Sequence, residues 1–239
     1  MGLKPTHAMV LAAGLGLRMR PLTDHLPKPL IKVSGKALID YGMDKLRAAG
    51  VGSVVVNMHH RAGQIAAWSE GQTNPAVILS DERNELLDTG GGVAKALPHL
   101  GPQPFFVLNS DSFWIDEGAP ALDRLGAAWN DTAMDGLLLL CPAERTIGYD
   151  GIGDFDIRED GRIVRKRGGS SLAYIGCHLM HPRLLEDAPP GKFSMNAVWD
   201  RAIAGGRLHG LIHHGRWLHV GTPGAIGLAE AELAKTWHR

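Results

Sequence analysis

The chain is poor in cysteine, in aromatic residues and in uncompensated charge. Its 239 residues include 2 cysteines, too few for a disulfide framework. Cys141 and Cys177 each lie in an apolar stretch, the setting of a buried thiol in a reducing compartment. Lysine plus arginine and aspartate plus glutamate both number 25, so the formal net charge is zero. That balance excludes a global field of the kind that gathers nucleic acid or an anionic membrane surface. The longest apolar runs, such as Gly136-Leu137-Leu138-Leu139-Leu140-Cys141, are of strand length and too short to span a bilayer. No basic, apolar and small-residue succession marks an export segment, and no repeat or linker divides the chain. The expectation is a cytoplasmic globular protein of one domain, spanning 1–239, with no nucleic-acid or membrane partner. Composition does not set its oligomeric state.

What is abundant is glycine, with 31 residues and one dense group near the start. An apolar segment runs into Leu11-Ala12-Ala13-Gly14-Leu15-Gly16-Leu17-Arg18-Met19-Arg20-Pro21-Leu22-Thr23, and Pro27-Lys28-Pro29-Leu30 follows closely. Glycines let backbone N–H groups approach an anion. Arginine forks grip phosphate oxygens in pairs, and lysine adds a compact charge. The segment reads as a triphosphate cradle. Both common nucleotide fingerprints fail here. The third glycine of G-x-G-x-x-G falls on Met19, and Gly35-Lys36 is followed by Ala37 where a P-loop needs Ser or Thr.

Strand-like and helix-like segments alternate through the first half. Strands are expected at 7–13, 53–58, 76–80, 105–109 and 136–141, and helices at 37–49, 62–70, 91–97 and 120–129, with Gly50 and Pro98 as stops. Repeated β–α units predict an α/β fold, a Rossmann-like mostly parallel sheet with helices on both faces. Shorter strands near 152–157, 162–166, 172–180 and 208–213, with helices at 196–204 and 224–235, predict a small antiparallel extension on the substrate side. Ligands of such sheets bind beyond the C-terminal strand ends, where the Gly14, Thr89 and Asp111 regions all fall.

Phe105-Phe106-Val107-Leu108 delivers Asn109-Ser110-Asp111-Ser112 to a strand end. An aspartate there can hold a divalent cation against phosphates, because Mg²⁺ keeps part of its water shell and needs one or two carboxylates. Leu86-Leu87-Asp88-Thr89-Gly90-Gly91-Gly92 joins a strand to a helix. Its glycines permit close backbone approach to a base or a sugar, and the helix N-terminus donates N–H groups. The 12 histidines are densest at His209, His213, His214 and His219, without the cysteine pairs or helical H-E-x-x-H of a zinc site.

The string L-A-A-G-x-G-x-R-M-x-P-L-T, followed by P-K-P-L, resembles the signature of the sugar-phosphate nucleotidyltransferases. The resemblance continues to the end of the chain and is thin between 142 and 172. It implies transfer of a nucleotidyl group from a nucleoside triphosphate to a sugar 1-phosphate. It divides the chain into a nucleotide-binding core at 1–141, a sugar-side extension at 142–222 and a C-terminal helix at 223–239. It places Leu11, Ala12, Gly14, Gly16, Thr89 and Gly90 at the nucleotide and Arg18 on its phosphates. Lys28 neutralises charge around the α-phosphate, so Arg18, Lys28 and Asp111 form the catalytic set. Asn109, Lys166 and Gly176 fall on the sugar-phosphate side, and Asp111 holds Mg²⁺ or Mn²⁺. Asp88-Thr89-Gly90-Gly91-Gly92 resembles the E-T-G-G-G segment of N-acetylmuramic acid 1-phosphate uridylyltransferases, whereas mannose 1-phosphate guanylyltransferases often carry T-A-G. The implied pair is UTP and N-acetylmuramic acid 1-phosphate, in peptidoglycan recycling. Guanylyl transfer to mannose 1-phosphate, thymidylyl or uridylyl transfer to a hexose 1-phosphate, and a non-catalytic nucleotide-sugar sensor stay open.

Some positions depart from the family pattern. Ser110 replaces the glycine of N-G-D, a change tolerated if its φ is negative. In Trp217-Leu218-His219-Val220-Gly221-Thr222, histidine stands where W-x-D-V-G-T has the aspartate that is the second metal ligand. A neutral imidazole removes one negative charge and suits Mn²⁺, Co²⁺ or Zn²⁺ better than Mg²⁺. His219 as a metal ligand, His219 touching only phosphate or water, and a weakened site are three open readings. Arg165-Lys166-Arg167 lacks the flanking Glu and Pro of the family's E-K-P motif, so Lys166 stands between a sugar-phosphate ligand and a solvated basic turn. Asp200 reads as solvent-facing.

Overall fold

The computed structural model describes residues 2–166 and 171–237. In chain order its first elements are β1 (His7–Leu11), α1 (Leu38–Ala48), β2 (Ser53–Met58), α2 (Ala62–Glu70), β3 (Ala76–Asp81), α3 (Asp88–Leu100), β4 (Phe105–Asn109) and β5 (Ser112–Ile115). There follow α4 (Ala121–Ala128), β6 (Gly136–Pro142), β7 (Phe155–Ile157), β8 (Ile163–Arg165), β9 (Leu172–Met180), α5 (Met195–Ala204), β10 (Leu208–Ile212), β11 (Arg216–His219) and α6 (Pro223–Trp237).

The central sheet runs β8-β7-β9-β4-β1-β2-β3, with β6 and then β10 along the other edge of β9. β1 lies between β2 and β4 and is parallel to both, and β3 is parallel to β2. Side chains alternate across a strand, and here each set meets helices. Val10, Val54, Val56 and Leu108 pack with Met43 of α1, Ile65 of α2 and Leu125 of α4. Met9, Val55 and Val107 pack with Val93 and Ala96 of α3 and Val198 of α5. Covering both faces explains why Val54-Val55-Val56 of β2 is a continuous apolar run and not an alternating one.

Within the main sheet β9 runs against its neighbours. It is antiparallel to β4, with Cys177 opposite Leu108, and antiparallel to β6 on its other side. Residues 172–180 therefore do not belong wholly to an extension, as the sequence suggests. Their C-terminal half enters the main sheet, separating β4 from β6, because Gly176–Met180 is buried throughout. The N-terminal half pairs with β7, which with β8 does form an antiparallel extension. Between the two halves the register shifts, and Gly176 takes φ 80°. A Cβ there would sit 2.9 Å from both Asn109 Cβ and Ser112 Oγ. Backbone groups freed at this break are met by side chains. The Tyr174 amide donates to Asp154 Oδ2 at 2.8 Å, and Ser112 Oγ donates to the Ile175 carbonyl at 3.2 Å.

A second small sheet carries β5 against β11, antiparallel, with His219 opposite Ser112. The Val220 amide donates to the Asp111 carbonyl at 3.1 Å, fixing the end of β11 beside the end of β4. The sequence reading missed both strands, which are four residues each and gain their pairing only through contacts about a hundred residues apart. Helix α3 also differs from expectation. It starts at Asp88, carries Pro98 in its last turn and stops at Gly101, with φ 74°. One missing N–H near a helix end is tolerated where Leu100 is fully buried.

Asp135, just before β6, ties the far end of the sheet together. It accepts from Arg183 Nε at 2.5 Å and from Arg207 Nε at 2.6 Å. Burial alone would raise its pKa, but the hydrogen bonds and charges of Arg207 and Arg183 outweigh that and hold it below the usual value. A depressed folded pKa means stability that is full above the unfolded carboxyl pKa and lost as pH falls through the folded one. Asp135→Ala is expected to cost about 2 kcal/mol at neutral pH. Urea titrations should show wild type and variant converging in strong acid.

Candidate active site

Two cavities open at the C-terminal ends of β1 and β4 and share a wall. The first, about 590 Å³, is bounded by the glycine loop, by Lys28 and Pro29, and by Leu86 across from them. The second, about 380 Å³, lies on the β9 side against Tyr174, Gly176, Trp199, Trp217 and His219. Leu11, Arg18, Asp88, Thr89, Asn109 and Asp111 face both.

The loop's course follows from its residues. Gly16 takes φ 63°, and a Cβ there would meet Thr23 Cγ2 at 2.8 Å. Thr23 Oγ1 donates to the Gly16 carbonyl at 2.9 Å, folding the chain back so that Lys28 faces the glycines. Leu17 is left 57% exposed, a poor surface residue unless something covers it. Ala12, Gly14, Gly16 and Arg18 all line the first cavity. Ser110 is absent from the described residues of positive φ, and its hydroxyl donates to the Leu11 carbonyl at 2.6 Å. The serine thus ties the ends of β1 and β4 together.

Lys28 Nζ donates to Asp111 Oδ2 at 2.8 Å. Burial pushes the Asp111 pKa upward, but the charge and hydrogen bond of Lys28, with His219 and Arg18 beyond, hold it below the usual value. The carboxylate is therefore ionised at neutral pH, and its Oδ1 has no hydrogen-bond donor among the described residues. His219 Nδ1 lies 3.3 Å from the Gly148 carbonyl. A carbonyl only accepts, so Nδ1 carries the proton and Nε2 is left with a lone pair. Burial lowers the His219 pKa, and Lys28 and Arg18 add to this while Asp111 opposes it. Asp111 and His219 both line the second cavity, and a carboxylate with a neutral imidazole is a donor set that fits a divalent cation whose other ligands are phosphate oxygens and water. No group of three or more His, Cys, Asp or Glu residues among those described forms a complete metal site.

The glycines of α3 have a different role from the one expected. A Cβ on Gly90 would lie 2.3 Å from the Phe193 ring, and one on Gly91 2.3 Å from the Gly191 carbonyl oxygen. Gly90 also donates its amide to the Phe193 carbonyl at 3.0 Å and lines neither cavity. It permits helix packing and does not face the nucleotide side, whereas Thr89 does. Lys166 is likewise displaced: its ammonium donates to the Ile152 carbonyl at 2.6 Å, and it lines neither of the two cavities. Its neighbour Arg165 does line the second cavity. Arg167, Gly168 and Gly169 lie outside the described residues. Asp200 is exposed, as expected, and also pairs with Arg165 at 2.7 Å.

A network that sequence reading missed holds the first cavity in shape. Asn57 Oδ1 accepts from the Ala12 amide at 2.6 Å, and Asn57 Nδ2 donates to Glu82 Oε1 at 2.7 Å. Glu82 Oε2 accepts from the Leu87 amide at 3.1 Å, and Glu82 is 1% exposed. The glycine loop, β2 and the entry to α3 are thus joined through two buried side chains. Gly92 completes the fit, since a Cβ there would lie 2.9 Å from both Asn57 Nδ2 and Glu82 Oε1. The available signal was Asn57 itself, a polar residue closing the run Val54-Val55-Val56 in a strand buried on both faces.

A mostly parallel sheet with a glycine-rich anion loop and a carboxylate–lysine pair at the strand ends defines a phosphate-handling α/β protein. The "Nucleotidyl transferase" family model matches residues 7–165, and the chain belongs to that family. It is 43% identical to the N-acetylmuramate alpha-1-phosphate uridylyltransferase of Caulobacter vibrioides, over 98% of this chain and 100% of that protein. It is 34% identical to the protein of the same name from Neisseria meningitidis serogroup B, over 96% and 99%. In fold it matches a UDP-glucose pyrophosphorylase complexed with UDP-glucose at TM-score 0.79 and 17% identity, covering 97% of this chain and 99% of that one. The inositol-1-phosphate CTP transferase of T. maritima matches at TM-score 0.76 and 19% identity, covering 96% of each.

Asn57→Ala leaves the Ala12 amide and the Glu82 carboxylate without their buried partner. The expected loss of unfolding free energy is about 2–4 kcal/mol, read from chemical denaturation at neutral pH. Recovery on pairing Asn57→Ala with Glu82→Leu would show how much of it is the stranded carboxylate.

Proposed function

We propose that this chain transfers the uridylyl group of UTP to N-acetylmuramic acid 1-phosphate, giving UDP-N-acetylmuramic acid and pyrophosphate. The observation that carries the reading is the shared wall of the two cavities, where Arg18 and Asp111 face both and Lys28 is bonded to Asp111. Such a wall suits two phosphorylated ligands meeting end to end. The choice of base and sugar is supported by the two uridylyltransferases that the chain resembles over nearly its whole length. The reaction belongs with recovery of cell-wall muramic acid in the cytoplasm, where nucleoside triphosphates are held.

An oxygen of the sugar 1-phosphate attacks the α-phosphorus of UTP. A P–O bond forms there as the bond to the β-phosphate bridge breaks, and pyrophosphate leaves with the electron pair. The nucleophile is already an anion, so no side chain has to remove a proton. The obstacle is repulsion between two polyanions, and catalysis consists of positioning and neutralising them. Lys28 offsets charge at the α-phosphate. Arg18 grips phosphate oxygens from the loop. The loop's amides, held at Ala12 by Asn57, fix the nucleotide. Asp111, with His219 as a second donor, holds Mg²⁺ or Mn²⁺, which when bound supplies further positive charge to the phosphates.

The test is pyrophosphate release from N-acetylmuramic acid 1-phosphate with UTP, dTTP, GTP, CTP and ATP in turn, in Mg²⁺ and in Mn²⁺. Release with UTP is expected. Turnover only with GTP and mannose 1-phosphate, or binding of nucleotide-sugar without any release, would overturn the reading. Lys28→Ala and Asp111→Ala are each expected to lower kcat by about 10²–10⁴-fold. Near-normal turnover in either would remove that residue from the catalytic set. His219→Asp is expected to move the metal preference toward Mg²⁺, measured as the ratio of the rates in the two metals.

A further inference from the structure

Away from Asp111, the second cavity ends against β7, β8 and α5. Arg165, at the end of β8, faces it there. Its guanidinium is held on two sides. Nε donates to Asp200 Oδ1 at 2.7 Å, Nη2 donates to Asn196 Oδ1 at 2.8 Å, and the group lies 4.7 Å over the Phe155 ring. Nη1 has no acceptor among the described residues. Asp200 occupies the Nε edge of the fork and fixes its orientation, leaving the Nη1 edge to a ligand.

The acidic groups of this cavity have partners. Asp154 accepts the Tyr174 amide, Asp88 Oδ1 accepts the Thr89 amide at 2.6 Å, and Asp111 is bonded to Lys28. His178 is neutral, since burial pushes its pKa down to about 3, and its Nδ1 is hydrogen-bonded to the Tyr174 hydroxyl. Arg18 belongs to the phosphate end, because it also faces the first cavity. Among the described residues, Arg165 is the cation that faces the second cavity and not the first, pre-set and with one donor edge free.

We propose that Arg165 is a specificity residue that donates through Nη1 to a carboxylate carried on the sugar ring, so that the second cavity selects an acidic sugar 1-phosphate. Resting on the reading above, the group it meets is the carboxylate of the lactyl ether of N-acetylmuramic acid. A site whose donors are aimed at a charged group discriminates strongly against an analogue without it, because those donors are then left unpaired.

The experiment compares kcat/KM for N-acetylmuramic acid 1-phosphate and N-acetylglucosamine 1-phosphate, which differ by the lactyl ether, in wild type, Arg165→Met and Arg165→Lys. Wild type is expected to prefer the acidic sugar. Arg165→Met should lower its kcat/KM by about 10–100-fold while leaving the neutral sugar little changed. Arg165→Lys should recover part of the loss. KM for UTP should stay constant in both variants, since Arg165 does not line the first cavity. A variant that keeps the wild-type preference, or loses both sugars equally, would overturn the role of Arg165 alone. A wild type that takes the neutral sugar as well as the acidic one would overturn the substrate reading and this inference together.

Discussion

The ion pair between Lys28 and Asp111 is the constraint on which the rest of the site depends. Lys28 is only 8% exposed, and an ammonium that far from water is stable only beside an opposite charge. The partners are 83 positions apart, so neither has a reason to be where it is without the other's loop. Pro27 and Pro29 flank the lysine and restrict the backbone that carries it. Asp111 in turn is held from behind by the Val220 amide on its own carbonyl. The arrangement leaves one oxygen of Asp111 unused and keeps a cation beside it, so the same few ångströms can receive both a metal and a phosphate.

The site has two cavities, and not one, because β9 runs against β4 and β6. β9 pairs with β4 along one half and with β7 along the other, and the strands it joins diverge where its register shifts. Gly176 sits at that divergence in a conformation that suits glycine, hard against Asn109 and Ser112. The gap opens directly beside the end of β4, which delivers Asp111. A parallel sheet alone provides one crevice at its strand ends. The reversed β9 adds the second, where the rings of Tyr174, Trp199 and Trp217 stand among charged and polar groups such as Asp154, Arg165 and His219.

How much of this was legible in the sequence depended on distance along the chain. The strands at 53–58, 105–109 and 172–180 and the helix at 62–70 were readable to the residue, because periodicity and composition are local. So was the cluster of Arg18 and Lys28 in one glycine-rich loop. Asp111 was readable as the end of an apolar strand. Where the reading failed, the cause was packing between distant segments. Gly90 looks like a ligand-approach glycine until Phe193 is found against it. Lys166 looks like an anion ligand until its neighbour, one position earlier on a two-residue period, proves to face the cavity. The pairing of β5 with β11, which brings His219 to Asp111, has no local signal in segments of four residues.

The zero net charge of the chain is consistent with this design. A protein that must bind two polyanions could carry a large positive surface, but such a field attracts every anion and discriminates among none. Here the cations are spent locally. Lys28 is committed to Asp111, and the fork of Arg165 to Asp200 and Asn196. At the far end of the sheet Arg183 and Arg207 are committed to Asp135. Each pair fixes a side chain that would otherwise lose rotamer freedom on binding, so the cost of ordering is met during folding. A ligand then gains only from the donors left over, at the positions where its own charges fall. Selectivity arises from which hydrogen-bond edges remain free after the protein has satisfied itself, and that is a property of the fold and not of the composition.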